Sequence, residues 1–103
     1  MKKITLNAVI EEQQKKDPEF AEHYQRELLI NEISKMIIKL RNAAQLTQAE
    51  LADKAGTTQP VIARLESGTD TRIPSLTLLA RIAAASHAKL HIGFDKIKEK
   101  QND

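Results

Sequence analysis

The side chains able to do acid–base or metal chemistry are three histidines, fourteen carboxylates and sixteen cations, with no cysteine. Without thiols there are no disulfides, no thiolate nucleophile and no Cys-ligated zinc. His23, His87 and His91 are scattered. On a strand His87 and His91 share a face with Lys89, but no acid or thiol completes a metal set. The carboxylates fall on helix surfaces, with no apolar pocket to raise their pKa values. Gly56, Gly68 and Gly93 form no phosphate loop. These residues predict no enzyme, no cofactor and no metal. What stands out instead is hydrogen-bonding chemistry: Thr57, Thr58, Gln59 and Arg64 lie close together, bringing hydroxyls, an amide and a guanidinium to one short segment.

Short, well-punctuated helices must hold that segment. Thr47 with Glu50 three residues on is a capping box, Leu51, Ala52 and Ala55 make an apolar side, and Gly56 ends the helix. Thr58 is the cap expected for the next helix, with Pro60 in the first turn, where its missing N–H costs nothing. Ile62 and Leu65 face inward and Gly68 closes it. Thr69–Pro74 reads as a loop. Ser75 caps a further helix in which Leu76, Leu79, Ile82 and Ala83 point one way, fading at Ser86.

Upstream, Asp17-Pro18-Glu19 is a helix start: a cap, a proline at the first position and an acid at the positive end of the dipole. The pattern predicts a helix from about Pro18 to Ala43, with a possible break near Asn31–Ser34. Its apolar stripe is Leu29, Ile30, Ile33, Ile37, Leu40 and Ala44. Leu6, Val9 and Ile10 suggest a short helix from near Asn7 that stops at Glu11. The period then changes near the C-terminus. Leu90, Ile92 and Phe94 alternate with polar residues, as in a strand. A lone strand leaves its N–H and C=O groups unpaired. The expected partner is the same strand of a second copy about a two-fold axis, with a hairpin to Lys2–Leu6 and a docking edge as alternatives.

Charge divides the chain of 103 residues. Residues 1–35 carry six cations against seven carboxylates, residues 36–95 seven against five, and residues 96–103 three against two. The net charge of +2 is too small to name a partner, but its distribution sets a slightly acidic arm beside a basic domain. No apolar run approaches the roughly 18–20 residues that span a bilayer, and the N-terminus lacks the apolar stretch of a signal peptide. A cytoplasmic protein without membrane partners is expected.

The run Leu46-Thr47-Gln48-Ala49-Glu50-Leu51-Ala52-Asp53-Lys54-Ala55-Gly56-Thr57-Thr58-Gln59-Pro60-Val61-Ile62-Ala63-Arg64-Leu65-Glu66-Ser67-Gly68 resembles the Cro/phage-repressor (XRE) family of helix-turn-helix DNA-binding domains. The likeness extends from about Met36 to Phe94. It implies that the second helix of the pair enters the major groove and offers its first residues to base edges. There a Gln59 amide can bond adenine N6 and N7 together, and Val61 can touch a thymine methyl. Arg64 reaches guanine or phosphate. Thr57 and Thr58 suit a phosphate at the helix start. Gln48 resembles the family's phosphate-binding Gln, and Arg72 is a further backbone contact. Arg41 and Glu66 match positions that form a structural ion pair in phage repressors.

The whole reads as a mainly α protein: a compact helix-turn-helix bundle of four to five helices, an N-terminal helical arm and one C-terminal β-strand pairing across a homodimer. Residues 1–30 form the arm, 31–95 the DNA-binding domain with its dimerisation strand, and 96–103 a polar tail. This layout resembles HigA-like antitoxins of type II toxin–antitoxin systems. That likeness implies a repressor that binds its own operator DNA and neutralises a RelE-type ribonuclease toxin. Phe20, Tyr24, Leu28 and Leu29 are the expected toxin-binding stripe, with Asp17, Glu19, Glu22 and Glu27 complementing a basic surface. The competing reading is a stand-alone XRE-family repressor with no toxin partner.

Overall fold

A computed structural model describes residues 5–96. Five helices follow one another: α1 (Leu6–Lys16), α2 (Pro18–Ala43), α3 (Gln48–Ala55), α4 (Gln59–Ser67) and α5 (Leu76–Ala85). Local chemistry explains most of their ends. Thr5 Oγ1 accepts from the Ala8 N–H at 3.1 Å to start α1. Asp17 Oδ1 accepts from Glu19 and Phe20 at 3.1 and 3.2 Å ahead of Pro18. In α3 the capping box closes both ways, Thr47 Oγ1 accepting from the Glu50 N–H at 3.1 Å and Glu50 Oε1 from the Thr47 N–H at 3.0 Å. These bonds hold the Glu50 carboxyl below its ordinary range. Ser75 Oγ caps α5 through the Leu78 N–H at 3.1 Å.

Three sequence expectations meet corrections. First, α1 runs on past Glu11 to Lys16 with no buried residue. Its apolar pattern ends where expected, but charge continues the helix: Lys16 pairs with Glu12 at 3.1 Å, and Lys15 and Lys16 sit favourably at the negative end of the dipole. Second, α2 is one 26-residue helix with no break at Asn31–Ser34. Ser34 is buried and donates to the Glu66 carbonyl at 2.6 Å, so the polar interruption is a contact with α4 rather than a kink. Third, there is no strand among the described residues, and Leu90, Ile92 and Phe94 lie in a segment without regular secondary structure. No neighbouring segment within the described chain supplies the ladder that a strand requires. Leu90 lies against a groove shared with Ile33, Met36, Leu40 and Leu79, while Phe94 is 99% exposed.

The core is small and joins four helices. Ile37 of α2, Leu51, Ala52 and Ala55 of α3, Ile62 and Leu65 of α4, and Ile82 of α5 form one buried cluster. Ala52 and Ala55 give α3 a side thin enough to pack against both α4 and α5. Leu51, Ile62 and Ile82 are fully enclosed, and truncating such a residue typically costs about 2–5 kcal/mol. Two apolar residues face the other way from expectation: Leu29 is 47% exposed and Leu76 is 60% exposed. The described residues span 53 × 24 × 24 Å, the long axis reflecting a 26-residue α2.

Gly68 ends α4 at φ +69°, and a Cβ there would sit 3.1 Å from Asn31 Oδ1 and 3.6 Å from Ser34 Oγ. Both the left-handed backbone and the close approach of α2 call for glycine. Gly68→Ala is therefore expected to destabilise the protein by about 1–2 kcal/mol, read as a lower urea midpoint with an unchanged slope.

Candidate nucleic-acid interface

The turn between α3 and α4 is closed by backbone geometry. Gly56 adopts φ +70°, and the Thr57 N–H donates to the Ala52 carbonyl at 2.9 Å. The chain is thereby turned so that α4 starts on the surface. Thr58 occupies the N-cap position in extended conformation, but its side chain makes no cap hydrogen bond. The expected capping role of its hydroxyl is thus corrected. Pro60 in the first turn removes one unpaired donor. Thr58, Gln59 and Arg64 are exposed, and Thr57 is half-buried. Val61 is half-buried and packs against the core, so its methyls are shared between the interior and the outer face. The arrangement places an amide, hydroxyls and a guanidinium on the outer side of a nine-residue helix.

Behind α4 lies the interaction that fixes its tilt. Arg41 of α2 grips Glu66 at the end of α4 with two hydrogen bonds, Nε to Oε2 at 2.6 Å and Nη2 to Oε1 at 2.9 Å. The same guanidinium donates through Nη1 to the Leu46 carbonyl at 2.9 Å, tying down the entry to α3. The Glu66 side chain is 6% exposed and that of Arg41 18%. Burial pushes the Glu66 carboxyl up. The hydrogen bonds from Arg41 and Gln48, with the Arg41 charge, outweigh burial and hold it below the usual carboxylate range. The hydrogen bond to Glu66 raises Arg41 further above its already high value.

Gln48 belongs to this network. Its Nε2 donates to Glu66 Oε1 at 3.2 Å. A primary amide carries two N–H donors, so one remains for another acceptor at the α3 N-terminus. Sequence spacing alone gave no sign that Gln48 touches Glu66, eighteen positions away.

Arg72 lies on the loop after α4, 76% exposed along its side chain. It shares Asp70 with Arg64: Asp70 Oδ1 lies 3.6 Å from Arg72 Nε, and Oδ2 lies 3.9 Å from Arg64 Nε. Asp70 also accepts the Arg72 backbone N–H at 3.1 Å. That bond, with the charges of Arg72 and Arg64, holds the carboxyl below its ordinary range against burial. Asp70 escaped the sequence reading because its partnership with Arg64 exists only once Gly68 has reversed the chain.

The arm residues separate by depth. Phe20 and Tyr24 are half-buried and stack, ring centroids 6.2 Å apart and planes 6° off parallel. Leu28 is 40% exposed beside Leu29. His23 pairs with Glu27 and Arg26 with Glu22, each one turn apart on α2. Among the described residues no group of three or more His, Asp or Glu could hold a metal ion. No described helix is long and apolar enough to cross a membrane.

Residues 37–85 match the family model described as Helix-turn-helix, just under half of the chain. No curated protein and no solved structure matched. The matched span begins inside α2 and closes with α5, so it takes in the whole buried cluster and both helices of the turn. The match is to the XRE type of helix-turn-helix and supports a sequence-specific DNA-binding regulator.

Two stability outcomes follow from the buried pair. Glu66→Ala leaves the Arg41 guanidinium without its partner and is expected to cost about 3–5 kcal/mol, whereas the exposed Arg64→Ala should stay within about 0.5 kcal/mol, both read by chemical denaturation. The folded-state pKa of Glu66 is depressed, so its contribution is complete above the unfolded carboxylate value and is lost as pH falls through the folded one. Melting temperature should therefore drop on acidification below the ordinary glutamate range, and Glu66→Gln should flatten that part of the profile.

Proposed function

We propose that this protein is an operator-binding repressor that also acts as an antitoxin, its α4 face reading DNA and its N-terminal arm holding a RelE-type ribonuclease toxin. The observation that carries the DNA part is the exposed Gln59 at the first position of a helix whose far end is locked by Glu66. In this reading Gln59 contacts base edges. Val61 offers its outer methyl to thymine, and Arg64 reaches guanine or phosphate. Thr57, Thr58, Gln48 and Arg72 hold the sugar–phosphate backbone.

Support for the arm comes from surface composition. Leu6, Val9, Leu28 and Leu29 are large apolar residues exposed between 40% and 75% on α1 and α2. Carboxylates at Asp17, Glu19, Glu22 and Glu27 stand among them. Exposed apolar residues accompanied by acids suit the basic surface of an RNA-cutting protein. The stack of Phe20 on Tyr24 supplies a flat half-buried anchor in the same region. Dimerisation through Leu90, Ile92 and Phe94 is part of the same proposal. Exposure of Ile92 at 58% and of Phe94 at 99% is the supporting fact, since such side chains favour burial against a second copy.

Two assays check the two halves. A labelled duplex carrying the region upstream of this reading frame should bind the wild type in preference to a scrambled duplex. Gln59→Ala should lose about 1–3 kcal/mol of that discrimination; an unchanged preference removes Gln59 as a reader. For the arm, the neighbouring reading frame is co-expressed with the full chain or with residues 1–30 deleted. Growth rescue and co-purification should require the arm; rescue by the deleted form would remove the arm as the toxin-binding segment, and a full chain that neither rescues nor co-purifies would favour a stand-alone repressor.

A further inference from the structure

Asp70 is an acid placed between two arginines that the proposed function assigns to DNA. Its carboxylate faces Arg64 on one side, at 3.9 Å, and Arg72 on the other, at 3.6 Å. Its side chain is only 14% exposed, against 47% for Arg64 and 76% for Arg72. The loop builds this position deliberately in physical terms. Asp70 accepts the Arg72 N–H at 3.1 Å, while Ser67 Oγ binds the Arg64 carbonyl at 2.6 Å and lies 2.7 Å from Thr69 Oγ1. The chain between the two arginines is thus pinned, and the carboxylate stands within ion-pair distance of Nε of both guanidiniums.

We infer that Asp70 is a positioning residue that sets the ratio of sequence-specific to sequence-independent DNA binding. The inference rests on the proposed DNA-reading role of α4. Sequence-independent binding draws almost entirely on phosphate electrostatics. There Asp70 only competes, since each arginine must give up part of its attraction to the carboxylate before it serves a phosphate. In the site-specific complex the same carboxylate has a second effect. It draws both guanidiniums toward one point beside the end of α4, which lowers the ordering needed to seat them on the DNA. The two effects offset one another on the correct site and do not on other sequences. Asp70 thereby suppresses misplaced binding at little cost to the proper complex.

The test compares wild type, Asp70→Asn and Glu11→Gln by fluorescence anisotropy on the upstream-region duplex and on a scrambled duplex of equal length. Asn keeps an oxygen for the Arg72 N–H and removes the charge. Glu11→Gln makes the same change of net charge on α1, away from α4. Asp70→Asn should tighten binding to the scrambled duplex about three- to tenfold, leave the upstream duplex within about twofold, and lose this difference as salt is raised. Equal tightening on both duplexes, no change on the scrambled one, or an equal shift from Glu11→Gln would each overturn the inference. A thermal melt verifies folding, and Asp70→Ser, which also keeps an acceptor, replaces the Asn variant if that one is unfolded. The underlying reading fails separately, through a wild type that does not prefer the upstream duplex at all.

Discussion

The bidentate contact between Arg41 and Glu66 is the constraint on which the other parts depend. It joins the long helix α2 to the end of α4, and through Nη1 it also holds the carbonyl of Leu46 at the entry to α3. Three elements that meet in a core of only a few aliphatic side chains are thereby fixed in relative orientation. An apolar cluster is tolerant of small rotations; a planar guanidinium facing a planar carboxylate is not. The Ser34 hydroxyl on the Glu66 carbonyl and the Gln48 amide on its carboxylate add directions to the same joint. Helix α4 is therefore aimed by polar geometry and held by apolar burial.

That division of labour explains how so short a helix can present a surface. The nine residues of α4 would be marginal alone in water. Ile62 and Leu65 anchor its inner side, Pro60 and Gly68 set its ends, and Glu66 fixes its rotation. Thr58 and Gln59 are then left exposed on its outer side. Thr58 illustrates this: its hydroxyl makes no cap bond and stays on the exposed side. The loop beyond Gly68 carries the same logic onward, with Asp70 gathering Arg64 and Arg72 into one charged cluster.

Much of the fold was legible because it is written in short-range chemistry. Thr47 with Glu50, Asp17 before Pro18, Ser75, Gly56 and Gly68 each mark a helix end through neighbours within a few residues. What escaped was longer-ranged. Leu29 and Leu76 are exposed although helical spacing sets them beside buried residues, because burial depends on which neighbours the fold brings up. The apparent break at Ser34 dissolved because its hydroxyl answers a carbonyl 32 positions away. The alternation of Leu90, Ile92 and Phe94 suggested a strand, but alternation supplies no hydrogen-bonding partner. Around α4, exposure of Gln59 and Arg64 agrees with helical spacing, whereas the Gln48–Glu66 bond and the Asp70 cluster need the folded chain.

The proposed function requires that α4, held by the Arg41–Glu66 joint, read base sequence. Its most direct test is selection from a pool of randomised duplexes by the purified full-length protein, followed by sequencing of the retained DNA. Base reading by α4 should enrich a defined motif in which Gln59→Ala alters the preference at one position and leaves the rest of the motif in place. Retention of duplexes without any sequence enrichment, or a motif indifferent to Gln59, would contradict it.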